Sequence, residues 1–379
     1  MRKFSVGFFR GADFSESIGT SDWRIALYMP EYGFKSWVFG KGDYLNSKPP
    51  DVHIINYNPS LLPLPASIHM SYQFFQQASG LDLDVIIFNP SLALAGAVIK
   101  KTKPSTKIII DIRSIPVEIN NILGFFHKLY FYLSIRYKFY DAVSIISQGM
   151  LDDLDSKYQL WGNVPTIVWG SGFDPALFNP LIDGTPIRQE HGWTDKFVVM
   201  FHGTLSSSRG LAELLQSLRM LIDLGEEDIY LVFIGQGAAR DDLIRLARNL
   251  SISNHVRFMP PVPHIDIPSL VAACDIGIDP LPDNPWWRHQ SALKVFEYLA
   301  MGKPVLATDI PCHHELSDAV LIVPDNSPQS LAQGILDYRK LSAPVKSEIS
   351  ELAKSDASQF TWKARAGILA EFIRTKILQ

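Results

Sequence analysis

A lysine and a glutamate lie close together in an otherwise apolar stretch of the second half of the chain. Lys294 and Glu297 have an i, i+3 spacing, which places both on one face of a helix. A lysine in the first helical turn is unfavourable unless an anion is near, and a glutamate among apolar residues needs a partner. A nucleotide would satisfy both, with phosphates at Lys294 and ribose hydroxyls at Glu297. The alternative is a plain Lys294–Glu297 ion pair on a partly hydrated face.

The ends of this predicted helix are marked in the sequence. Ser291 is a typical N-cap residue, followed by Ala292 and Leu293, and Gly302 and Pro304 are typical of a helix end. The amino end of a helix attracts anions because its first amides are unpaired and the helix dipole is positive there. We therefore expect a diphosphate to rest against the amino end of this helix.

The loop after the apolar run 197–202 is a second candidate for anion binding. Gly203, Thr204 and Ser208 are small, so backbone amides can approach an anion closely. Arg209 adds a full positive charge just before a predicted helix. The alternative is an ordinary strand-to-helix loop with a hydrated arginine.

The elements that must position these residues are short apolar runs that alternate with longer amphipathic stretches. This alternation predicts an α/β fold with parallel strands and helices on both faces of each sheet. More than a dozen strands are too many for one open sheet, so we expect two doubly wound sheets. Turn-forming residues cluster in 175–196, and the predicted domains are 1–180 and 181–357, with a helix at 358–379 that packs back onto the first domain. The apolar runs are 4–9, 36–40, 52–56, 85–89, 108–112, 142–146, 166–169, 197–202, 229–234, 256–259, 276–280, 305–308 and 319–323.

The composition excludes several classes of protein. Lys and Arg number 35 against 39 Asp and Glu, a net charge of −4, which argues against a nucleic-acid partner. Cys274 and Cys312 do not make a disulfide framework or a zinc site, and we expect reduced core thiols of a cytoplasmic protein. No stretch is long enough to span a bilayer. The run 4–9 is too short for a signal peptide and is broken by Arg10, so it predicts a first strand.

The second half of the chain resembles the donor-binding domain of the retaining GT-B glycosyltransferases of family 4, the glycosyl transferases group 1. The stretch 172–180 resembles the connector that precedes this domain in the family. The resemblance covers roughly 165–340, and the Lys-x-x-Glu helix is its most specific part. The motifs that carry it are Gly203…Arg209-Gly210, Phe233-Ile-Gly235-Gln-Gly237, Val256-Arg-Phe258, Asp275…Pro280, Lys294…Glu297…Gly302-Lys-Pro-Val and Val323-Pro.

This resemblance implies a GT-B fold, in which two Rossmann-like, doubly wound parallel-sheet domains face a central cleft. It also implies transfer of a sugar from a UDP- or GDP-linked donor, with retention of configuration and without a metal or other cofactor. The implied catalytic residues are Arg209, Lys294 and Glu297. The implied donor-binding residues are Gly203, Thr204, Ser208, Gly235, Val262, His289, Ser291, Ala292 and Leu293.

Two positions depart from the family pattern. His289 stands where the family commonly has the first acid of an E-x7-E motif that ends at Glu297. Thr204 stands where a basic residue often follows the glycine. The first departure bears on recognition of the donor sugar. The second removes one phosphate contact, although Lys294 and Arg209 still supply positive charge.

Acceptor binding would belong to the N-terminal sheet. Gly19 and Thr20 occupy the place of the family's first glycine-containing loop, or they form a plain turn with a helix cap. Asp111 and Arg113 come at the end of the run 108–112, where side chains reach the ligand-binding edge of a parallel sheet. These two would hold acceptor hydroxyls or simply pair with each other.

Aromatic residues suggest two further contacts. Trp286 and Trp287, beside an arginine in a polar loop, would stack on a sugar or an acceptor, or fill a hydrophobic gap. The segment 122–140 mixes aromatic and basic residues, and would lie on a membrane surface or pack on the sheet with a basic outer edge. A glycan, a polysaccharide or a lipid-linked sugar would be the acceptor.

The same fold leaves other functions open. A nucleotide-sugar epimerase or hydrolase would form product from the donor alone. A non-catalytic nucleotide- or sugar-binding protein, or a scaffold subunit, is suggested by His289 and Thr204 at the two departing positions.

Overall fold

A computed structural model of the chain shows two compact units, each built on its own sheet. The structure describes residues 3–13, 21–41, 48–56, 66–116, 122–159, 161–291, 293–314 and 316–379. The N-terminal unit comprises Met1–Gly172, His289–Ser291 and Trp362–Gln379. The C-terminal unit comprises Phe173–Arg288 and Ala292–Thr361.

Seven parallel strands form the sheet of the N-terminal unit. They are β1 (Phe4–Asp13), β2 (Phe34–Lys41), β3 (Val52–Asn56), β4 (Val85–Phe88), β5 (Lys107–Ile112), β6 (Ala142–Ile145) and β7 (Thr166–Val168). Their order in the sheet is β3-β2-β1-β4-β5-β6-β7. The helices of this unit are α1 (Ser21–Tyr28), α2 (Ala66–Gly80), α3 (Ala93–Thr102), α4 (Ile122–Arg136), α5 (Gln148–Tyr158) and α14 (Trp362–Phe372). All four residues of β4 are buried, as expected for a central strand covered on both faces.

Six parallel strands form the sheet of the C-terminal unit. They are β8 (Phe197–His202), β9 (Ile229–Ile234), β10 (Val256–Met259), β11 (Ile276–Asp279), β12 (Val305–Thr308) and β13 (Val320–Val323), in the order β10-β9-β8-β11-β12-β13. The helices are α6 (Thr185–His191), α7 (Leu211–Asp223), α8 (Arg240–Asn249), α9 (Ile267–Ala272), α10 (Leu293–Ala300), α11 (Pro311–His314), α12 (Pro328–Lys340) and α13 (Ala343–Ala357). Helix α7 shows how the sequence selects its buried face: Leu211, Leu214, Leu215 and Leu218 recur at helical spacing and are all buried.

The predicted fold class is confirmed. Each predicted apolar run contains a strand, and the strands form two parallel sheets flanked by helices. The helix α10 begins at Leu293 and ends at Ala300, and Gly302 follows it with a left-handed φ of 67°. Within the described ranges, no helix is both long and apolar enough to cross a membrane.

The two units divide at Gly172/Phe173, whereas the sequence places the boundary at 180/181. The stretch between these points joins the C-terminal unit because Phe173 and Phe178 are buried in that unit's core. At the other end, α13 belongs to the C-terminal unit and α14 to the N-terminal unit. Helix α14 packs against α1. Near the start of α14, the carbonyl oxygen of Lys363 accepts a hydrogen bond from the Tyr32 hydroxyl at 3.0 Å.

Candidate functional site

Three neighbouring strands of the C-terminal sheet end at one edge. β8 lies between β9 and β11, and the three run parallel, so the loops that follow them share the edge where open α/β sheets bind ligands. The loops after β8 and β9 are joined by backbone hydrogen bonds. Gly203 N donates to Ile234 O at 2.9 Å, and Leu205 N donates to Gln236 O at 2.9 Å. The predicted anion-binding loop is therefore held against the end of β9.

Gly235 lets the two loops meet. Its φ is +142°, and a Cβ added there would lie 2.1 Å from the carbonyl oxygen of Gly203. Only a residue without a side chain fits this position while the backbone keeps its place. Gly203 in turn lies against the predicted lysine, because a Cβ added to Gly203 would be 3.6 Å from Cε of Lys294.

Lys294 extends from the first turn of α10 to a buried carboxylate at the end of β11. Its Nζ donates to Asp279 Oδ1 at 2.8 Å. Asp279 Oδ2 lies 3.3 Å from His313 Nε2, and His313 Nδ1 lies 2.8 Å from the Thr308 carbonyl oxygen. His313 therefore lies between the Asp279 carboxylate and the Thr308 carbonyl oxygen and donates to at least one of these acceptors. The alternative of a plain Lys294–Glu297 pair is wrong, since the partner of Lys294 is Asp279.

The charges at this point depend on one another. Burial alone would raise the pKa of Asp279, but Lys294 and His313 outweigh it and hold the pKa below its ordinary value. Burial lowers the pKa of Lys294, Asp279 opposes the shift, and Arg209 lowers the pKa further. Loss of either partner would leave the other charge buried and uncompensated.

Glu297 lies against two histidines, His202 at the end of β8 and His264 in the segment that follows β10. Its Oε1 lies 2.7 Å from His264 Nε2, and its Oε2 lies 3.4 Å from His202 Nε2. Burial lowers the pKa of His202 to about 4, against the opposing effect of Glu297, so this imidazole is neutral at neutral pH. Each carboxylate oxygen of Glu297 has a second lone pair that these contacts leave available.

Arg209 is supported by an aromatic ring. Its Cζ lies 4.5 Å from the ring centre of Trp287, and Trp287 Nε1 donates to the Ser208 carbonyl at 2.7 Å. The other ring neighbours of Trp287 form a small buried cluster, Leu281, Ile310 and Cys312. Trp287 is only 8% exposed, so it takes the gap-filling role rather than the predicted stacking on an acceptor. Trp286 is 37% exposed.

One N–H group of Arg209 makes no hydrogen bond to the described residues. Its Nε is buried, and among the described residues no acceptor forms a hydrogen bond with it. Burial lowers the pKa of the guanidinium and Asp279 opposes that shift. The two predicted cations, Arg209 and Lys294, thus lie within electrostatic reach of the same carboxylate. A buried donor without a partner is a place where an incoming acceptor gains a full hydrogen bond.

The other residues of the C-terminal unit that were predicted to bind the nucleotide sugar lie around the charged cluster of Arg209, Lys294, Asp279 and Glu297. Thr204 is exposed and lines a groove of about 640 Å³ with Gln236, Gly237, Arg240 and Asp241. The Ser208 hydroxyl lies 3.1 Å from that of Ser206. Val262 is half-buried against the C-terminal core. Leu293 is the first residue of α10. Three predicted residues lie outside the described ranges, namely Ala292, Gly19 and Thr20.

His289 and Ser291 belong to the N-terminal unit, unlike the three predicted catalytic residues. His289 Nε2 lies 2.8 Å from Asp153 Oδ2, and its carbonyl accepts from the Ser147 hydroxyl at 3.2 Å. Ser291 Oγ accepts from Ser171 N at 2.7 Å. Both side chains are therefore engaged with residues of the N-terminal unit.

The predicted acceptor residues Asp111 and Arg113 pair with each other. Arg113 Nε donates to Asp111 Oδ2 at 2.9 Å, and the Ser144 hydroxyl donates to Asp111 Oδ1 at 2.6 Å. A second guanidinium nitrogen of Arg113 donates to the Trp169 carbonyl at 2.6 Å. Both charged side chains are buried, so the pairing alternative is the one that the structure shows.

Several members of the charged cluster were not singled out from the sequence. Asp279 and His202 each end an apolar strand, and a polar residue at that position was the available signal. His313 and His264 lie in short segments with no periodic pattern, and only the fold brings them to Asp279 and Glu297.

Comparison with known proteins agrees with the fold and with the resemblance. Residues 183–355 match the family described as "Glycosyl transferases group 1", which confirms the predicted resemblance. A putative glycosyltransferase of Bacillus subtilis, YtcC, is 23% identical over 278 residues, covering 68% of this chain and 64% of that relative. The chain therefore spans less than two thirds of that curated relative's length.

Solved structures share the architecture over nearly the whole chain. The sucrose-phosphate synthase of Thermosynechococcus elongatus superimposes with a TM-score of 0.78 at 15% identity, covering 98% of both chains. Anabaena HepE in complex with UDP-glucose gives a TM-score of 0.75 at 18% identity, covering 98% of this chain and 99% of that one. The fold is GT-B, with two Rossmann-like parallel-sheet domains.

Proposed function

We propose that the chain is a glycosyltransferase that moves a sugar from a UDP- or GDP-linked donor to a hydroxyl group of a glycan, a polysaccharide or a lipid-linked sugar. The observation that carries the proposal is the half-buried Arg209, whose buried Nε makes no hydrogen bond to the described residues and whose guanidinium is within electrostatic reach of Asp279, the partner of Lys294. A diphosphate would supply both a hydrogen-bond acceptor for this unused N–H group and a negative charge to pair with the guanidinium. The structural neighbour that binds UDP-glucose supports a nucleotide sugar as the donor.

In the proposed reaction the bond between the anomeric carbon and the diphosphate breaks, and negative charge develops on the departing diphosphate. Arg209 and Lys294 would meet that charge from fixed positions. A preorganised donor of this kind typically contributes about 10²–10³-fold to turnover. The oxygen of the acceptor hydroxyl forms the new bond to the anomeric carbon on the same face, with retention of configuration, and its proton passes to the departing diphosphate; no metal ion takes part.

Glu297 would bind the ribose. Its carboxylate is hydrogen-bonded to His264 and lies 3.4 Å from His202, and its remaining lone pairs would accept hydrogen bonds from ribose hydroxyls. Because His202 is a neutral imidazole, the negative charge of Glu297 is only partly offset from that side. The site would therefore offer cations to the diphosphate and an anion to the sugar hydroxyls.

Release of nucleoside diphosphate in the presence of a panel of nucleotide sugars and sugar acceptors tests the proposal. The release should depend on acceptor and persist with a metal chelator. Arg209→Ala should lower kcat/KM about 100-fold, whereas the exposed Arg248→Ala should leave it unchanged. Full activity of the Arg209→Ala variant would show that the site is misassigned.

One observation favours a second function, a nucleotide-binding protein without transferase activity. His289 replaces the first acid of the family motif, and its ring is held by Asp153. Such a protein would bind a nucleoside diphosphate but release none from any donor. A hydrolase or epimerase would instead consume the donor without acceptor. The same assay distinguishes the three outcomes.

A further inference from the structure

Apolar side chains are exposed together on two neighbouring helices of the N-terminal unit. Phe125 and Phe126 on α4 are 62% and 57% exposed, and Leu94 on α3 is 70% exposed. Contiguous apolar surface of this kind is unusual on a soluble protein and marks a contact site. We define the α3–α4 face as the exposed side chains Leu94, Val98, Phe125, Phe126, Leu129, Leu133 and Tyr137.

The two helices present these side chains side by side. Tyr130 of α4 donates its hydroxyl to the Ser91 carbonyl at 3.2 Å and accepts from Leu94 N at 3.4 Å, at the start of α3. Leu94 and Val98 are one turn apart on α3, and Leu129 and Leu133 are one turn apart on α4. Helix α4 is therefore joined at Tyr130 to the amino end of α3 and to the turn that precedes it.

The core does not need these side chains. On α4, Ile135 is fully buried and Phe131 packs against the core of the N-terminal unit. The helix is thus anchored to its unit through one side, while the aromatic residues and leucines on its other side remain exposed. Anchoring of the inner side leaves the outer apolar side free for a partner outside the described fold.

The two segments that carry the face contain charged residues of one sign only. Neither 93–102 nor 122–138 contains an aspartate or a glutamate, whereas Lys101, Lys128 and Arg136 are exposed there. The next acidic residue along the chain, Asp141, is bonded to Lys100 at 2.7 Å. An apolar surface bordered by cations complements a membrane interface, where acyl chains lie beneath anionic headgroups.

We propose that the α3–α4 face docks on the surface of a bilayer that contains anionic lipids. Phenylalanine and leucine side chains enter the boundary between headgroups and acyl chains, and the bordering lysines and arginine contact lipid phosphates. The interaction is peripheral and reversible. The docking depends on the N-terminal unit alone, so its test is independent of the proposed transferase activity.

Co-sedimentation of the whole chain with vesicles of phosphatidylcholine, with and without phosphatidylglycerol, tests this docking. Wild type should bind the phosphatidylglycerol vesicles, and Phe125→Ser/Phe126→Ser should bind at least about tenfold more weakly. The matched control is Leu181→Ser/Ile265→Ser, which changes two exposed apolar residues of the C-terminal unit and should bind as wild type does. The exposed positions of all four residues predict unchanged melting temperatures.

The electrostatic part of the proposal has its own test. Lys138, two residues beyond the end of α4, is exposed as Lys101 is. Lys101→Gln/Lys138→Gln removes these two charges and should weaken binding roughly fivefold for each charge. Added salt should weaken wild-type binding in the same direction.

Three results would overturn the proposal. The first is absence of binding to phosphatidylglycerol vesicles, and the second is equal binding by wild type and Phe125→Ser/Phe126→Ser. The third is a dimer of the wild type in light scattering that this double variant converts to a monomer, because the face would then join two copies of the chain.

Discussion

Asp279 is the residue on which the buried charges of the C-terminal unit converge. It accepts from Lys294 through one oxygen and faces His313 through the other, and its electrostatic influence extends to Arg209. Burial of a charged group is costly, and the cost is offset only while its partners stay in place. The carboxylate therefore keeps Lys294 in position before any ligand arrives, and it favours the charged form of Arg209.

Replacement of Asp279 with asparagine should destabilise the protein strongly. The variant leaves Lys294 buried without its carboxylate, which is expected to cost about 3–5 kcal/mol of unfolding free energy. Urea unfolding at neutral pH measures the change. The matched control is Asp309→Asn, which alters an exposed carboxylate and should change stability by less than about 0.5 kcal/mol. Equal stabilities of the two variants would contradict the role given to Asp279.

His202 predicts a pH dependence of stability. Its pKa is about 4 in the folded protein against an ordinary 6.5, so the unfolded chain binds a proton between these values that the folded chain does not. Stability should therefore fall as the pH decreases from 6.5 to 4, with a contribution of up to about 3 kcal/mol from this residue.

Urea unfolding across that pH range should show a shallower decline for His202→Gln than for wild type. His314→Gln, which changes a half-exposed histidine, should keep the wild-type decline. A His202→Gln curve parallel to wild type would show that His202 is not the titrating group.

Trp287 predicts an effect on nucleotide affinity without contact to the nucleotide. Trp287→Phe keeps an aromatic ring beside Arg209 but removes the hydrogen bond from the indole to the Ser208 carbonyl. The guanidinium should be held less firmly, and affinity for UDP or GDP should fall about three- to tenfold. Trp286→Phe should bind as wild type does. Calorimetry on both variants provides the comparison. An unchanged affinity of Trp287→Phe would show that Trp287 does not position Arg209 for nucleotide binding.

At the scale of elements, the strands and the main helix of the site follow from pattern alone. The apolar runs are strands because β-branched residues recur in short blocks between turn formers, and α10 begins near its predicted cap and ends before Gly302. The partners of the charged side chains do not follow from pattern. Lys294 bonds to Asp279 rather than to Glu297 because the carboxyl end of β11 lies beside the first turn of α10, which only the folded sheet reveals.

Gly235 links two elements, and its replacement should disturb both. In Gly235→Ala the new Cβ would lie 2.1 Å from the Gly203 carbonyl, so the loops after β8 and β9 must separate. We expect a loss of at least about 2 kcal/mol in stability together with weaker nucleotide binding. Gly225→Ala is the control, because Gly225 also has a positive φ but has no atom within 4 Å of an added Cβ.

For that control we expect a loss of about 1 kcal/mol from the backbone conformation alone. Chemical denaturation and nucleotide titration of both variants distinguish backbone strain at a positive φ from a steric clash of the added Cβ. If Gly235→Ala loses no more than Gly225→Ala, the close approach of the two loops is not important for the site.

At the scale of the whole molecule, the two-sheet architecture is predictable from the sequence. Which residues belong to each unit is less predictable. The N-terminal unit takes in His289–Ser291 and Trp362–Gln379, far along the chain from its other residues. The sequence predicts the return of the last helix to the first domain, but no pattern in it assigns His289–Ser291 to the N-terminal unit. The Ser171–Ser291 and Asp153–His289 contacts make that assignment, and only the folded chain reveals them.

Titration calorimetry of UDP and GDP into the whole chain tests the central claim most directly, because the claim is that Arg209 and Lys294 form a site for a nucleoside diphosphate. Wild type should bind at least one of the two. Arg209→Gln should raise Kd about 10- to 100-fold through loss of a charge-assisted hydrogen bond, while Arg248→Gln should leave Kd unchanged. Failure of both nucleotides to bind wild type, or equal Kd values for wild type and Arg209→Gln, would contradict the account.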